Sequence, residues 1–487
     1  MSALKDKTNT LLYNLAADLM FKRPTRKYLV RLMEKKVASA LEPGKNNQFP
    51  KSSKRILREK KLIALSIIQS LVHSIESGNL NRKVAHAIFN LWIDVMAKPR
   101  QSNEAVRHFY GENGYYPPWF LVISPGHACN LKCNDCYASS ASSDGTKLDW
   151  EIMDRLISDA KKIWGIKLVV FSGGEPFIYR SNGKDILDIV KKNPDMLFLA
   201  FTNGTVLDRD LTEKIAAYKN LTPAFSVEGL QQATDKRRGA GAFEKVLNAM
   251  ELMRNAGAPF GISVTVNREN YQDILGDEFL DFFFNIQGAF YGFYFQYLPI
   301  GKNSDFNHMP TPGQRLEFWK NIWGVIERKK LFLIDFWNHG TLVKGCISAG
   351  RDGGYFYVDW NGSVMPCVFT PYSAGNIIEL YNSGKTLEDV WNLPFFASIR
   401  KWQAENGHGT CNPKDPGNLL TPCPFRDHHQ QFMKWLDEYD PEDEDLPAME
   451  IRKDAEYKQK MVEYSMELHE LFDPVWQSEY VKGPDDS

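Results

Sequence analysis

"WFLVISPGHACNLKCNDCYASS", residues 119–140, is the stretch on which the fold turns. Its first six residues are a short apolar run of the kind that forms a buried strand. The remainder is a loop carrying Cys129, Cys133 and Cys136 within eight positions, spaced C-x3-C-x2-C. That crowding does not suit a disulfide framework, and it is one ligand short of a closed tetrahedral zinc site. Thiolates at such density select zinc or an iron–sulfur cluster. His127 is nearby, but two positions before Cys129 it has no standard zinc spacing. A four-iron cube held by three thiolates leaves one iron open to a small molecule.

Working outward, residues 113–330 alternate short strand patterns with helical ones. The strands are expected in "WFLVIS", "KLVVFS", "LFLAFT", "PAFSVEG", "FGISVTV" and "GFYFQYLPI". Between them run helical patterns such as "DWEIMDRLISDAKKIW" and "AFEKVLNAMELMRNAG", with "PGQRLEFWKNIWGVIERK" after the last strand. Six such alternations imply an α/β fold with a parallel sheet, curled or closed as a barrel. In that architecture active residues collect on loops at the C-terminal ends of strands. The cysteine loop follows strand 1, "GGEP" follows strand 2 and "TNG" follows strand 3, so one rim gathers all three.

The flanks differ. Residues 1–112 read as a helical N-terminal region, with apolar residues at helical spacing in "RKYLVRLMEKKVASALE" and "ILREKKLIALSIIQSLVHSIESG". After residue 330 the alternation stops. Residues 331–435 contain "YFYVDWNGSVMPC", a hairpin pattern around Asn361-Gly362. Residues 436–487 are acidic and then helical. The net charge of −1 conceals an asymmetry: residues 1–110 hold 21 Lys and Arg against 8 Asp and Glu, and residues 437–487 hold 5 against 17. A basic end reads either as a surface for an anionic partner, such as a membrane, or as a face matched to the acidic end. Seven cysteines, a polar N-terminus and no apolar run near about 20 residues fit a cytoplasmic protein in a reducing compartment.

Cys129, Cys133 and Cys136 after strand 1, together with Gly173-Gly174-Glu175-Pro176 after strand 2, resemble the radical S-adenosylmethionine (SAM) superfamily. The resemblance implies a partial (β/α)6 TIM-like barrel. It also implies a [4Fe-4S] cluster on the three cysteines, with SAM bound at the open iron. Reductive cleavage of SAM would then give a 5′-deoxyadenosyl radical that abstracts hydrogen from a substrate. Carried over residue by residue, Gly173 and Gly174 would approach the methionine amino group, with Glu175 as a nearby acceptor. Asn203 matches the turn after strand 3, and Ser226 a polar strand-4 residue. Arg238 matches a basic residue for the SAM carboxylate, with Arg237 as the competing choice. Glu228 stands where relatives often have Asp. Thr265 and Asn267 end strand 5, and Gln296 to Leu298 end strand 6, where adenine contacts are expected. For Ser226, Thr265 and Asn267 ordinary loop capping competes with cofactor contact. Asp135 replaces the aromatic often found before the last cysteine.

Cys346, Cys367, Cys411 and Cys423 follow the barrel, and "GCISAGRDGGYFYVDWNGSVMPC" resembles the SPASM or twitch extension of that superfamily. This implies a small α+β extension holding one fully protein-ligated auxiliary [4Fe-4S] cluster, with zinc as the alternative. His428 and His429 read as helix-surface residues rather than ligands. The implied function is radical C–H chemistry, first on a peptide or protein, with a reductant such as ferredoxin or flavodoxin. A lipid or other hydrophobic substrate at a membrane surface is an alternative, reached through the basic N-terminal helices. A non-catalytic iron–sulfur redox or scaffold protein is the other.

Overall fold

The computed structural model describes residues 18–42, 53–92, 100–140, 145–408 and 417–482. All six expected strands form: β1 (Phe120–Ile123), β2 (Leu168–Phe171), β3 (Leu197–Thr202), β4 (Leu221–Val227), β5 (Gly261–Val266) and β6 (Tyr291–Gln296). They pair in parallel and in chain order, with Val122 beside Val170 and Thr265 beside Phe295. The period of two sorts their side chains. Leu121, Ile123, Val169 and Phe171 face the core under the helices, and Val122, Val170, Leu199 and Ala224 face the concave side.

Aromatic contacts show the curl. The rings of Phe201 on β3 and Phe295 on β6 lie 5.3 Å apart. In a flat sheet strands three places apart would stand about 14 Å from each other. The sheet is therefore bent into a partial barrel whose lumen these rings share.

The helices follow their apolar spacing. Trp150–Trp164 buries Met153, Leu156, Ile157, Ala160 and Trp164 at i, i+3, i+4 intervals. Each such buried aliphatic chain stabilises the fold by about 1.5–3 kcal/mol. Leu156→Ala would cost about 2–5 kcal/mol, because a cavity is left behind. Gly165 ends the helix at φ +63°, against the Asn103 side chain. The segment after β5 departs from an even helix: a 3-10 turn at Asp273–Leu275 is followed by an α-helical turn at Asp277–Leu280 and a π-turn at Asp281–Ile286. Gln231–Arg238, too polar to show an apolar stripe, is also helical.

The sheet runs past the boundary expected at residue 330. β7 (Leu333–Asp335) pairs in parallel with β6. β8 (Tyr355–Val358) pairs in parallel with β1, and β9 (Ser363–Met365) returns antiparallel to it. With β11 (Gly375–Asn376) the order is β11-β9-β8-β1-β2-β3-β4-β5-β6-β7. The hairpin of the C-terminal extension thus covers the edge that β1 would expose. β10 (Tyr372–Ser373) pairs instead with β12 (Glu442–Asp443).

The two charged ends meet. Arg55 in the helix Lys54–Glu76 pairs with Glu479 at 3.3 Å. Glu59, 1% exposed, accepts from Thr341 Oγ1 at 2.6 Å, Tyr480 Oη at 2.5 Å and Arg55 Nε at 2.9 Å. Part of the basic charge of the N-terminal region is therefore matched inside the molecule. Among the described residues no helix is long and apolar enough to cross a membrane.

Candidate functional site

The cysteine loop is fixed by its neighbours on the C-terminal rim. Gly174 N–H donates to Gly126 O at 3.1 Å, and Glu175 N–H to Ala128 O at 2.9 Å. A Cβ on Gly174 would lie 2.1 Å from Ala128 O, so only glycine fits. Gly173, at φ +99°, donates its N–H to Tyr137 Oη at 3.2 Å. Lys302 N–H donates to Cys136 O at 3.1 Å from the segment after β6. Asp135 sits at φ +56°, a region Asp tolerates better than most residues. Its carboxylate lies 2.8 Å from His308 Nδ1. The residue in the aromatic's place thus makes a turn and an anchor.

Glu175 ties the second loop to the third. Its Oε1 accepts from Thr202 Oγ1 at 2.7 Å and from Phe177 N–H at 3.2 Å, and its Oε2 accepts from Asn203 N–H at 2.8 Å. Burial pushes its carboxyl up to about 7 against these three donors. Asn203 Nδ2 points to Cys129 Sγ at 3.7 Å and donates to Asn130 Oδ1 at 2.9 Å.

Glu228 is a central member of the site. Burial opposes its charge, yet Arg238 and Arg237 hold its carboxyl below the usual range. Arg237 Nη1 donates to it at 2.7 Å, Arg238 Nη2 at 2.6 Å and Arg238 Nε at 2.7 Å. Arg237 also donates to Thr265 Oγ1 at 3.0 Å and Asp135 O at 3.2 Å. Ion pairs therefore pin the helix Gln231–Arg238 to Glu228, and a hydrogen bond from Arg237 to a backbone carbonyl joins it to the cysteine loop. Ser226, in register with Ser263, faces the lumen. Asn267 caps its own loop, its Oδ1 accepting from Glu269 and Asn270 N–H. Gln296 is held between Arg426 and Asp335.

Among the described residues no three His, Cys, Asp or Glu side chains converge on a single ion. A lone zinc does not fit, whereas three thiols spread around one loop fit a multi-iron cluster. Burial pushes the Cys129 thiol up to about 11 and raises that of Cys133, which Arg238 and Arg237 oppose. His127 is not aimed at a metal: its Nε2 lies 2.8 Å from Ala138 O, and its ring stacks on Trp360 at 4.2 Å.

Cys346, Cys367 and Cys423 form a second set on the C-terminal extension, close enough for Cys346 to raise both other thiols after burial. Cys411 lies outside the described residues. His428 and His429 are not helix-surface residues. His429 is buried, with Nδ1 2.7 Å from Phe425 O, and His428 Nε2 lies 2.9 Å from Thr421 O. One ring nitrogen of each is thus taken by a backbone carbonyl within two residues of Cys423.

Residues 123–278 match the radical SAM superfamily, and residues 346–413 match an iron–sulfur cluster-binding domain, SPASM. The chain belongs to the radical SAM superfamily. It is a radical SAM enzyme, with a [4Fe-4S] cluster, SAM and auxiliary iron–sulfur chemistry in its extension. It is 27% identical over 316 residues to the AdoMet-dependent heme synthase of Methanosarcina barkeri, covering 59% of this chain and 86% of that protein. It is 26% identical over 321 residues to the mycofactocin maturase MftC of Mycolicibacterium smegmatis, covering 62% and 78%. Its fold is similar to that of Streptococcus suis SuiB bound to precursor peptide SuiA, with a TM-score of 0.51 and 17% identity over 74% of this chain and 88% of SuiB.

Sequence patterns pointed to the cysteines, "GGEP", "TNG" and both arginines. They did not show that Glu228 grips both guanidinium groups. They also missed Arg315, Arg426 and Asp427. These fully buried residues join the Cys423 turn to the barrel, with Arg315 Nη1 and Arg426 Nε each 2.7 Å from Asp427 Oδ1. Burial alone would raise the Asp427 carboxyl, but the two arginines hold it far below its usual range. Arg426 is Asp427's neighbour, but Arg315 lies 112 residues away, and a pair so distant leaves no local signal.

Proposed function

We propose that this radical SAM enzyme modifies a peptide or protein, with an apolar or aromatic side chain entering the barrel lumen. One observation carries the reading: Phe201, Phe293, Phe295, Phe336 and Phe369 face the lumen half-buried rather than packed away. Tyr137, one residue after Cys136, joins this aromatic wall, its ring 5.9 Å from Phe369. Such a wall suits an apolar substrate group placed beneath the cysteine loop. The likeness to a maturase and to the fold of a peptide-bound protein supports the same class.

In this reading Cys129, Cys133 and Cys136 hold the core cluster, and Cys346, Cys367, Cys411 and Cys423 hold the auxiliary one. When bound, the cluster and SAM supply one-electron cleavage and hydrogen-atom abstraction. The chain supplies position. Arg238 uses Nε and Nη2 on Glu228, which leaves Nη1 for the SAM carboxylate, while both terminal nitrogens of Arg237 are engaged. Ser226 and Thr265 offer hydroxyls from the lumen face. Gly173, Gly174 and Glu175 act by fixing the loops, since their N–H groups and the Glu175 carboxylate are taken by the protein. Asn203 orients Cys129. The electron comes from a donor of ferredoxin or flavodoxin type.

The test is isotope transfer. Candidate peptides carrying deuterated side chains are incubated with iron-loaded enzyme, reductant and SAM. Deuterium appearing in 5′-deoxyadenosine supports the reading. Transfer from deuterated lipid vesicles and from none of the peptides would overturn it.

A further inference from the structure

Tyr355 opens β8, and Cys367 lies just past the end of β9, so the hairpin brings them together. The register that pairs Tyr357 with Met365, carried two residues further, sets Tyr355 opposite Cys367. A step of two keeps both side chains on one face of the strand pair. The contact follows: Tyr355 Oη and Cys367 Sγ lie 3.0 Å apart. Tyr355 is 1% exposed, and its ring stacks on Phe120 of β1 with centroids 4.8 Å apart. The sheet itself therefore holds the hydroxyl at the sulfur. Phe369 N–H donates to the same sulfur at 3.5 Å.

Cys346 has a hydroxyl of its own. Ser348 Oγ lies 3.1 Å from Cys346 Sγ. Gln403, buried at the end of the helix Pro394–Gln403, decides the direction of that bond. Its Nε2 donates to the carbonyl oxygens of Cys346 at 3.3 Å and Ser348 at 3.2 Å, groups that can only accept. The same nitrogen donates to Ser348 Oγ at 3.2 Å. One lone pair of the serine is thereby engaged, and its proton is left for the sulfur. At Cys367 the ligand state decides: a thiolate bound to iron carries no proton, so Tyr355 donates. On the core loop the side-chain donor Asn203 Nδ2 stands farther off, 3.7 Å from Cys129 Sγ.

We infer that Tyr355 and Ser348 raise the reduction potential of the auxiliary cluster by donating hydrogen bonds to Cys367 and Cys346. An added electron makes the thiolate sulfurs more negative, and a donor aimed at a sulfur stabilises that state more than the oxidised one. The couple takes up one electron and no proton. Both are positioning residues: neither is an iron ligand, and each acts through a thiolate. This rests on the reading that places the auxiliary cluster on Cys346, Cys367, Cys411 and Cys423.

The test is a redox titration of the full-length chain carrying Cys129→Ala, Cys133→Ala and Cys136→Ala, reconstituted with iron and sulfide so that the auxiliary cluster alone gives a signal. Dithionite is added stepwise with mediators, and electron paramagnetic resonance reads the midpoint. Adding Tyr355→Phe should lower the ratio of reduced to oxidised cluster about tenfold at a fixed poise, about 59 mV for one electron. Ser348→Ala should shift the midpoint in the same direction, and Ser348→Thr, which keeps the hydroxyl, should restore it. Tyr357→Phe is the control. It removes an equally buried hydroxyl from the same strand, one bonded to Ser124 Oγ at 2.7 Å rather than to a sulfur, and should leave the midpoint in place. A midpoint unmoved by Tyr355→Phe, or moved as far by Tyr357→Phe, overturns the inference. If Tyr355→Phe loses its iron, Ser348→Ala decides by the same titration, and loss of iron from both makes the hydroxyls structural and overturns it. A parent that binds no iron fails the ligand reading and the inference with it, whereas bound iron with an unmoved midpoint fails the inference alone.

Discussion

Glu228→Ala strips the carboxylate from two guanidinium groups at once. Glu228 is 2% exposed, and the side chains of Arg237 and Arg238 are 16% and 10% exposed. Removing one partner of a buried pair costs about 3–5 kcal/mol, and the partial exposure of the arginines selects the lower end, about 3 kcal/mol. Unfolding entropy of about 2.1 cal/mol/K per residue gives about 1 kcal/mol/K for this chain, so the melting point should fall by about 3 °C. The native carboxyl lies below its unfolded value, so its stabilisation is present above the unfolded carboxylate pKa and fades as pH falls through the folded one. The deficit of the variant should therefore shrink in acid. Scanning calorimetry of native, Glu228→Ala, Arg238→Ala and the double variant makes a cycle. Arg238→Ala should cost clearly less in the Glu228→Ala background. Additive losses, or a melting point unmoved by Glu228→Ala, would refute the claim that this carboxylate organises the arginine side of the site.

Other consequences are as direct. Gly174→Ala forces the cysteine loop away from Ala128 O and should lower core-cluster iron, read by electron paramagnetic resonance, while the auxiliary signal remains. Glu175 lies above its unfolded value, at about 7, so its burial destabilises the chain increasingly as pH rises from about 4.5 to about 7. Glu175→Gln should flatten that part of the stability profile in thermal melts at about pH 5 and about pH 7.5, and an unchanged slope would count against it. Asp427→Asn leaves Arg315 and Arg426 facing a neutral group in a fully buried site. It should lower stability by about 3–5 kcal/mol in chemical denaturation, and Asp427→Ala by no less.

Each of the six core strands was legible because glycine, proline or polar turns bracket a short apolar run. β7 was not: three residues in a stretch without strand–helix alternation become a strand only because β6 offers an unpaired edge. The β8–β9 hairpin was legible around Asn361-Gly362, but not the parallel pairing of β8 with β1. The helix Gln231–Arg238 lacks an apolar stripe and forms where Glu228 and the cysteine loop hold its basic end. In the site, chemistry readable from residue type and spacing was visible: three thiols, two glycines and a turn. What stayed hidden depended on distant partners. Asp427 looked like one acid among many, and its meaning comes from Arg315, 112 positions earlier in the chain, as well as from its neighbour Arg426. The charge asymmetry was visible, but it takes contacts such as Arg55–Glu479 and Glu59–Tyr480 to show that the two ends meet.

The central claim is that Cys129, Cys133 and Cys136 support SAM cleavage independently of the extension's cysteines. The direct measurement is 5′-deoxyadenosine release after anaerobic iron–sulfide reconstitution with dithionite and SAM. It compares the native chain with a variant carrying Cys129→Ala, Cys133→Ala and Cys136→Ala. The native chain should release 5′-deoxyadenosine, and the variant should release none while keeping its auxiliary iron. Iron-loaded native protein that releases none, or a variant that still does, would contradict the account.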